Sequence, residues 1–376
     1  MRISLAATNP CHVFPLAVEL ARAGALGAYY SGYPAWKLGD DARAVRVRAH
    51  SLRTNVVYGL LKYAPEKLRP SSRRLFLWQD AGFDGWTAAH LEPCDFIHGL
   101  PGQCLHTFRA ARRLGIRTVL NHATGPVRTW VRIMEPEYAR VGLKLEEVCP
   151  YDAEYFARED EEYALADFHC AASTVVREQL AAIGIPRERI WLVPYGADAR
   201  IFHPSDRDAA PGFRIVFAGQ VGLRKGLKAL LDALTLAARD DWRVDFYGAV
   251  LGEARHDLDA YRGKSRLTFH GAVSQTVLAK AFQAGSVLVL PSLEEGFGLV
   301  VPQALNCGLP VIVSDAVGGR DCIRHRENGS LFPSRDAAAL AAELGWWAGH
   351  PQRIAQTFGW SGPAHALVTL SQSALA

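Results

Sequence analysis

The chain is predicted to be an α/β protein built from two successive parallel-sheet halves, and three observations predict it. Short apolar runs of strand type alternate with helical periodicity almost throughout, which calls for parallel strands joined by right-handed crossovers. At 376 residues, 49% hydrophobic and 21% charged, the chain is long enough to bury two ordinary cores. A polar, breaker-rich stretch at 205–212 divides one such alternation from the next.

Residues 2–6 read as a first strand and 14–23 as a helix. Strands follow at 94–98 and 118–121, with a helix at about 104–114 between them. Next come a helix at 159–166, a strand at 167–171 and a helix at 175–183, before 190–204 crosses to the second half. There the expected elements are a strand at 214–218, a helix at 227–238, strands at 243–247 and 267–269, and a helix at 275–284. Terminal helices start near 337. The expected divisions are 1–200, 201–345 and 346–376, the last packing back toward the first.

Composition narrows the function classes. Seven cysteines, odd in number and without CxxC spacing, point to reduced thiols in a cytosolic protein rather than disulfides or a zinc site. No apolar run reaches the roughly 20 residues that span a bilayer. Thr8-Asn9-Pro10-Cys11-His12 interrupts any signal-peptide core after the basic Arg2, so the start reads as a strand and its loop. Between Arg43 and Arg74 nine basic residues face the single acid Glu66, an excess of +8 in a chain of net charge +4. Apolar residues such as Val45, Leu52, Val56, Tyr58 and Leu61 interleave with them. Such a stretch suits an anionic membrane surface, or else it is a solvated helical face. No nucleic-acid motif accompanies it.

Two loops carry chemistry. The apolar strand 287–290 ends at Pro291 and runs into Glu294-Glu295-Gly296-Phe297-Gly298-Leu299. Gly296 and Gly298 let the backbone turn and approach a ligand, and a helix from about 299 would aim free N–H groups at phosphate. Glu295 is placed to hold sugar hydroxyls beside it. In the other loop, Gly219-Gln220-Val221-Gly222-Leu223-Arg224-Lys225-Gly226, two adjacent cations suit a diphosphate. No His/Cys/Asp cluster of ligand spacing points to a metal.

Together with Cys307-Gly308-Leu309-Pro310-Val311-Ile312, these strings resemble the donor site of the GT4 family of retaining glycosyltransferases. The resemblance implies the GT-B architecture, two facing Rossmann-like domains with a cleft between them. Glu295 matches the first glutamate of the family's paired motif, while the second place is held by Gln303. Lys225 matches the lysine that grips the donor pyrophosphate. The companion arginine position holds Gln220, with Arg224 placed to supply the charge. Gly296, Phe297, Gly298 and Leu299 complete the donor loop. Val273, after His270-Gly271-Ala272, falls where backbone groups meet the base. His122, in the loop-bearing stretch Leu120 to Pro126, matches a histidine that lines the anomeric centre.

By the same resemblance Glu295, His122 and Lys225 would act in catalysis. The other loop residues would bind a UDP- or GDP-linked sugar as co-substrate, with no metal and no cofactor. Retention would follow front-face attack, the departing phosphate taking the acceptor's proton. The first half would hold a saccharide or lipid-linked acceptor from cell-envelope synthesis. The protein would then work in the cytoplasm, at the inner face of the plasma membrane where 43–74 meets lipid. Two rival readings share the fold: a non-catalytic sugar-nucleotide-binding protein, favoured by Gln220 and Gln303, and an epimerase or hydrolase.

Overall fold

The computed structural model describes residues 1–64, 72–149, 151–205, 212–354 and 356–376. Glu66, Lys67 and Arg69 of the basic segment and 206–211 of the expected linker lie outside them.

The first half is a parallel sheet of seven strands: β1 (Ile3–Ala7), β2 (Leu26–Ser31), β3 (Val47–Ala49), β4 (Phe96–Gly99), β5 (Arg117–His122), β6 (Phe168–Ala171) and β7 (Ile190–Leu192). Their order across the sheet is β3-β2-β1-β4-β5-β6-β7, so the direction of winding reverses between β1 and β4. Helices α1 (Val13–Arg22), α2 (Leu52–Tyr63), α3 (Ser72–Ala89), α4 (Leu105–Arg113), α5 (Val127–Arg140), α6 (Leu145–Val148), α7 (Ala153–Leu165) and α8 (Thr174–Ala182) connect them. The basic segment is therefore not one amphipathic helix: its start supplies edge strand β3, and α2 follows.

The second sheet has six parallel strands, β8 (Arg214–Ala218), β9 (Arg243–Tyr247), β10 (Arg266–Gly271), β11 (Val287–Leu290), β12 (Val311–Ser314) and β13 (Gly329–Phe332), in the order β10-β9-β8-β11-β12-β13. Its helices are α9 (Leu227–Ala237), α10 (Arg255–Ala260), α11 (Gln275–Ala284), α12 (Val300–Asn306) and α13 (Ala337–Gly349). All four β11 side chains are fully buried, as a strand covered on both faces by helices requires. Each such apolar side chain contributes about 1.5–3 kcal/mol.

The chain crosses between the halves twice. The outward crossing passes Tyr195 to Arg200, and the return passes Phe358 to Trp360. The two lie side by side: the Ala197 N–H donates to the Phe358 carbonyl at 2.8 Å, and a Cβ on Gly196 would sit 2.4 Å from Gly359. Of the terminal helices, α13 stays with the second core through Leu340, Leu344 and Trp347. Only the last, α14 (Ser361–Leu375), returns to the first half, where Ala364 and Leu367 enter the α1 core. Among the described residues no helix is long and apolar enough to cross a membrane.

Candidate active site between the two sheets

Parallel strands send all their C-terminal loops to one edge, and here the edges of both sheets face a shared cleft of about 470 Å³. The second half lines it with Gln220, Gly222, Arg224, Lys225, Leu251, Glu253, Glu294 and Glu295. The first half adds Thr124, Gly125, Trp130 and Tyr151.

The loop after β8 lies hard against the end of β11. Gly226 has a left-handed φ of 69°, and a Cβ there would fall 1.8 Å from the Pro291 carbonyl oxygen. That approach, with the Leu293 N–H donating to the Arg224 carbonyl at 2.9 Å, sets both cations beside both glutamates. Arg224 donates through Nη1 to the Glu294 carbonyl at 3.0 Å and lies 3.3 Å from Glu294 Oε2. It is 3.6 Å from Glu295 Oε2. Lys225 Nζ is ion-paired with Glu295 Oε2. Burial pushes the Glu295 carboxyl up, but Lys225 and Arg224 reverse this and hold it below the usual range. Burial raises the carboxyls of Glu294 and Glu253 instead. Glu253 Oε1 accepts the Leu223 N–H at 3.4 Å, standing over the loop that carries the cations.

The halves touch along both rims of the cleft. Ser173, the N-cap of α8, accepts the Val176 N–H at 3.2 Å and donates through its hydroxyl to the Gly296 carbonyl at 2.6 Å. The Thr174 N–H and hydroxyl donate to Asp321 at 2.7 and 2.5 Å. On the opposite rim Arg140 forks onto Asp257 at 2.6 and 2.8 Å. A Cβ on Gly296 would lie 2.0 Å from the Ala123 carbonyl oxygen, so only glycine lets the two loops meet this closely.

The structure thus brings Gln220, Arg224, Lys225 and Glu295 together in the cleft. Gly296 and Gly298 shape the loop beside them, and Phe297 is a buried anchor whose ring meets Tyr195 edge-on at 5.2 Å. Leu299 caps α12, Gln303 lies half-buried on α12, and Val273 lies half-buried between β10 and α11; none of the three lines the cleft. His122 requires a correction. Its ring is fully buried in the first core, 3.0 Å from His169 Nδ1 and edge-on to Tyr163. Its carbonyl accepts the Ala172 N–H at 3.3 Å. Burial, then His169, drives its pKa well below the ordinary value. The next residues of that loop, Thr124 and Gly125, reach the cleft in its place.

Glu253, Glu294, Trp130 and Tyr151 were not singled out from the sequence. Glu294 adjoins Glu295 in the string already quoted, and Glu253 follows the glycines after β9, the kind of strand end where ligands sit. Trp130 and Tyr151 had no local signal. Among the described residues no group of three His, Cys, Asp or Glu side chains is placed to hold a metal ion.

Residues 212–348 match the family described as Glycosyl transferases group 1. A D-inositol 3-phosphate glycosyltransferase 1 of Catenulispora acidiphila is 29% identical over 247 residues, 56% of this chain and 58% of that protein. A D-inositol 3-phosphate glycosyltransferase of Xylanimonas cellulosilytica is 30% identical over 241 residues, with the same coverage of both chains. The chain thus matches 58% of the length of these curated relatives. A sucrose-phosphate synthase from Thermosynechococcus elongatus superposes with a TM-score of 0.65 at 20% identity, over 99% of this chain and 94% of that one. The Anabaena protein HepE, solved in complex with UDP, gives 0.65 at 16% identity, over 100% and 98%.

Proposed function

We propose that this chain is a retaining glycosyltransferase of the GT4 type on the GT-B fold, moving a sugar from a nucleotide-diphosphate sugar to a hydroxyl acceptor. The observation that carries the reading is the apposition of Arg224 and Lys225 with Glu294 and Glu295 in an interdomain cleft at the strand ends. A diphosphate entering there meets two cations where negative charge grows as the bond to the sugar breaks. Lys225 exchanges Glu295 for phosphate, and Glu295 is released to hold donor hydroxyls. Arg224 and Lys225 supply the charge that a metal would otherwise supply, so the reaction runs without one.

The departing phosphate takes the acceptor's proton on the face from which the acceptor attacks, which keeps the anomeric configuration. A UDP-sugar is the first donor to try, because UDP is the nucleotide named in the HepE complex. D-inositol 3-phosphate, named in the relatives, is the first soluble acceptor. A lipid-linked acceptor from the cell envelope, met at the cytoplasmic face of the membrane, fits the basic and aromatic face around α2.

The test is a thermal-shift and hydrolysis screen of the purified protein against UDP-glucose, UDP-galactose, UDP-N-acetylglucosamine and GDP-mannose. One of them should raise the melting temperature and be hydrolysed slowly. No stabilisation by any member of a wider nucleotide-sugar panel would remove the donor site.

A further inference from the structure

The winding of the first sheet reverses between β1 and β4, and open α/β sheets take ligands at the strand ends beside such a reversal. A side chain from outside the sheet reaches this place. Asp80 of α3 accepts the Thr8 hydroxyl at 2.8 Å through Oδ1, and the Thr8 N–H donates to Gln103 Oε1 at 3.1 Å. The loops after β1 and β4 are thereby tied together around one carboxyl. In the same loop after β1, Asn9 Oδ1 accepts the Tyr58 hydroxyl of α2 at 3.1 Å.

Aromatic rings lead from the loop after β4 to the cleft between the sheets. Gly102 has a φ of 80°, and a Cβ on it would stand 2.7 Å from the Tyr155 ring. Tyr155 packs on Tyr151 with centroids 4.5 Å apart, and Tyr151 lines the donor cleft opposite Glu294.

The neighbouring carboxylates accept backbone N–H groups. Asp84 is fully buried and accepts the His106 and Thr107 N–H groups, each at 2.8 Å. Glu162 is fully buried and accepts the Gly102 and Cys104 N–H groups. Arg158 is salt-bridged to both. Asp80 is only partly buried, caps no helix and accepts the Thr8 hydroxyl. Burial raises its pKa to about 7, with Thr8, Arg158 and a hydrogen bond from the Gln79 side chain opposing and Asp84 assisting. A carboxyl so placed costs stability unless it meets something.

We propose that Asp80 binds a hydroxyl of a polyol acceptor and fixes the orientation of that acceptor's ring toward the donor cleft. The proposal deepens the glycosyltransferase reading and rests on it. A carboxyl held at this place accepts from a substrate hydroxyl and, when ionised, repels a phosphate. Asp80 therefore selects the hydroxyl-bearing edge of a cyclitol or sugar, and any acceptor phosphate must lie elsewhere. The faces of Tyr155 and Tyr151 then carry the ring's C–H surface.

The test measures binding of D-inositol 3-phosphate and of methyl α-glucoside by calorimetry on wild type, D80N, D80A and D80E. UDP-glucose hydrolysis in water and the thermal shift by UDP are followed in parallel. At least one of the two probes should bind wild type and lose about tenfold or more in affinity in D80N and D80A. D80E should recover part of the loss. In transfer assays the loss should fall on the acceptor KM, with hydrolysis and the UDP shift within twofold of wild type. The proposal is overturned if neither probe binds wild type, if D80N binds as wild type does, or if D80N and D80E both lose the UDP shift along with acceptor binding. Absence of a UDP shift in wild type would instead strike the donor reading, and the calorimetry of the acceptor probes still decides the role of Asp80.

Discussion

Lys225 and Glu295 neutralise each other across the floor of the cleft, one from the loop after β8 and the other from the loop after β11, with only 12% and 13% of their side chains exposed. Neither charge is spare while the pair stands, and on the proposed reading each is what the other would lose when a diphosphate arrives.

Removing one partner leaves a buried charge alone, so K225A and E295A should each lower stability as well as transfer. The stability loss should be of order 3 kcal/mol and the rate loss about 10²–10³. The double variant K225M/E295Q should regain much of the melting temperature while staying inactive. Denaturation and transfer rates measured on all three variants separate the two roles. Equal stability of the single variants and wild type would mean the pair is loosely held.

Gly296 sets how closely the halves meet. G296A should leave both cores folded but hold the Ala123 and Gly296 loops apart. Transfer should fall by about tenfold or more, equivalent to 1.4 kcal/mol, with a smaller thermal shift on adding UDP. Wild-type kinetics in that variant would show that the contact is incidental to turnover.

Glu159 of α7 is buried, accepts the Tyr163 hydroxyl at 3.2 Å and the Val127 N–H at 3.4 Å, and has its pKa raised to about 7, chiefly by burial. A carboxyl raised on folding stabilises below its unfolded pKa and loses that stability as pH climbs to the folded one. E159Q should therefore match wild type near pH 4.5 and exceed it at pH 8, by up to roughly 3 kcal/mol. Chemical denaturation at the two pH values reads this directly. A constant difference between the proteins would refute the assignment.

Transfer should persist in excess EDTA, because Arg224 and Lys225 stand where the diphosphate charge must be met. Loss of activity on chelation, restored by Mg²⁺ or Mn²⁺, would place a metal in the reaction.

Binding to anionic liposomes should depend on α2 more than on β3. Arg46 and Arg48 are spent on Glu92, at 2.9 Å from Arg46 and 2.8 Å from Arg48 Nε. Arg53 lies over the Trp78 ring at 4.6 Å. Leu52, Tyr63 and Trp36 are 69%, 76% and 79% exposed, and Lys62 Nζ lies 5.0 Å from the Tyr63 ring centroid. Replacing Leu52, Lys62 and Tyr63 with Ser should weaken flotation with phosphatidylserine vesicles more than replacing Arg46 and Arg48, each effective cation being worth about 1 kcal/mol. A wild-type protein that ignores such vesicles at low salt would leave the face without a membrane role.

What was legible in the sequence was local. Strands β8, β9 and β11 and helix α11 fall where the apolar runs and their caps predict, because such runs bury themselves regardless of partner. The loops bearing Lys225 and Glu295 were legible for the same reason, glycine and charge at strand ends. His122 was not: its place at the end of β5 is local, but the inward turn of its ring depends on His169 and Tyr163, more than forty residues on. The basic segment could be counted but not paired, since Glu92 reaches Arg48 across 44 positions. Helix α14 could be foreseen to cross back, whereas the attachment of α13 to the second core depends on where Trp347 and Ser330 meet, at 3.0 Å.

The twin crossings at Gly196 and Gly359 confer a mechanical property. A single tether would let the halves swivel and twist freely. Two strands of chain pinned together by Ala197 and Phe358 behave like a door hung on paired pins, with one easy axis of rotation. Opening along that axis must part Gly296 from Ser173 and Arg140 from Asp257 in the same stroke. On the glycosyltransferase reading proposed above, entry of a donor and release of its nucleotide would be tied to that one motion.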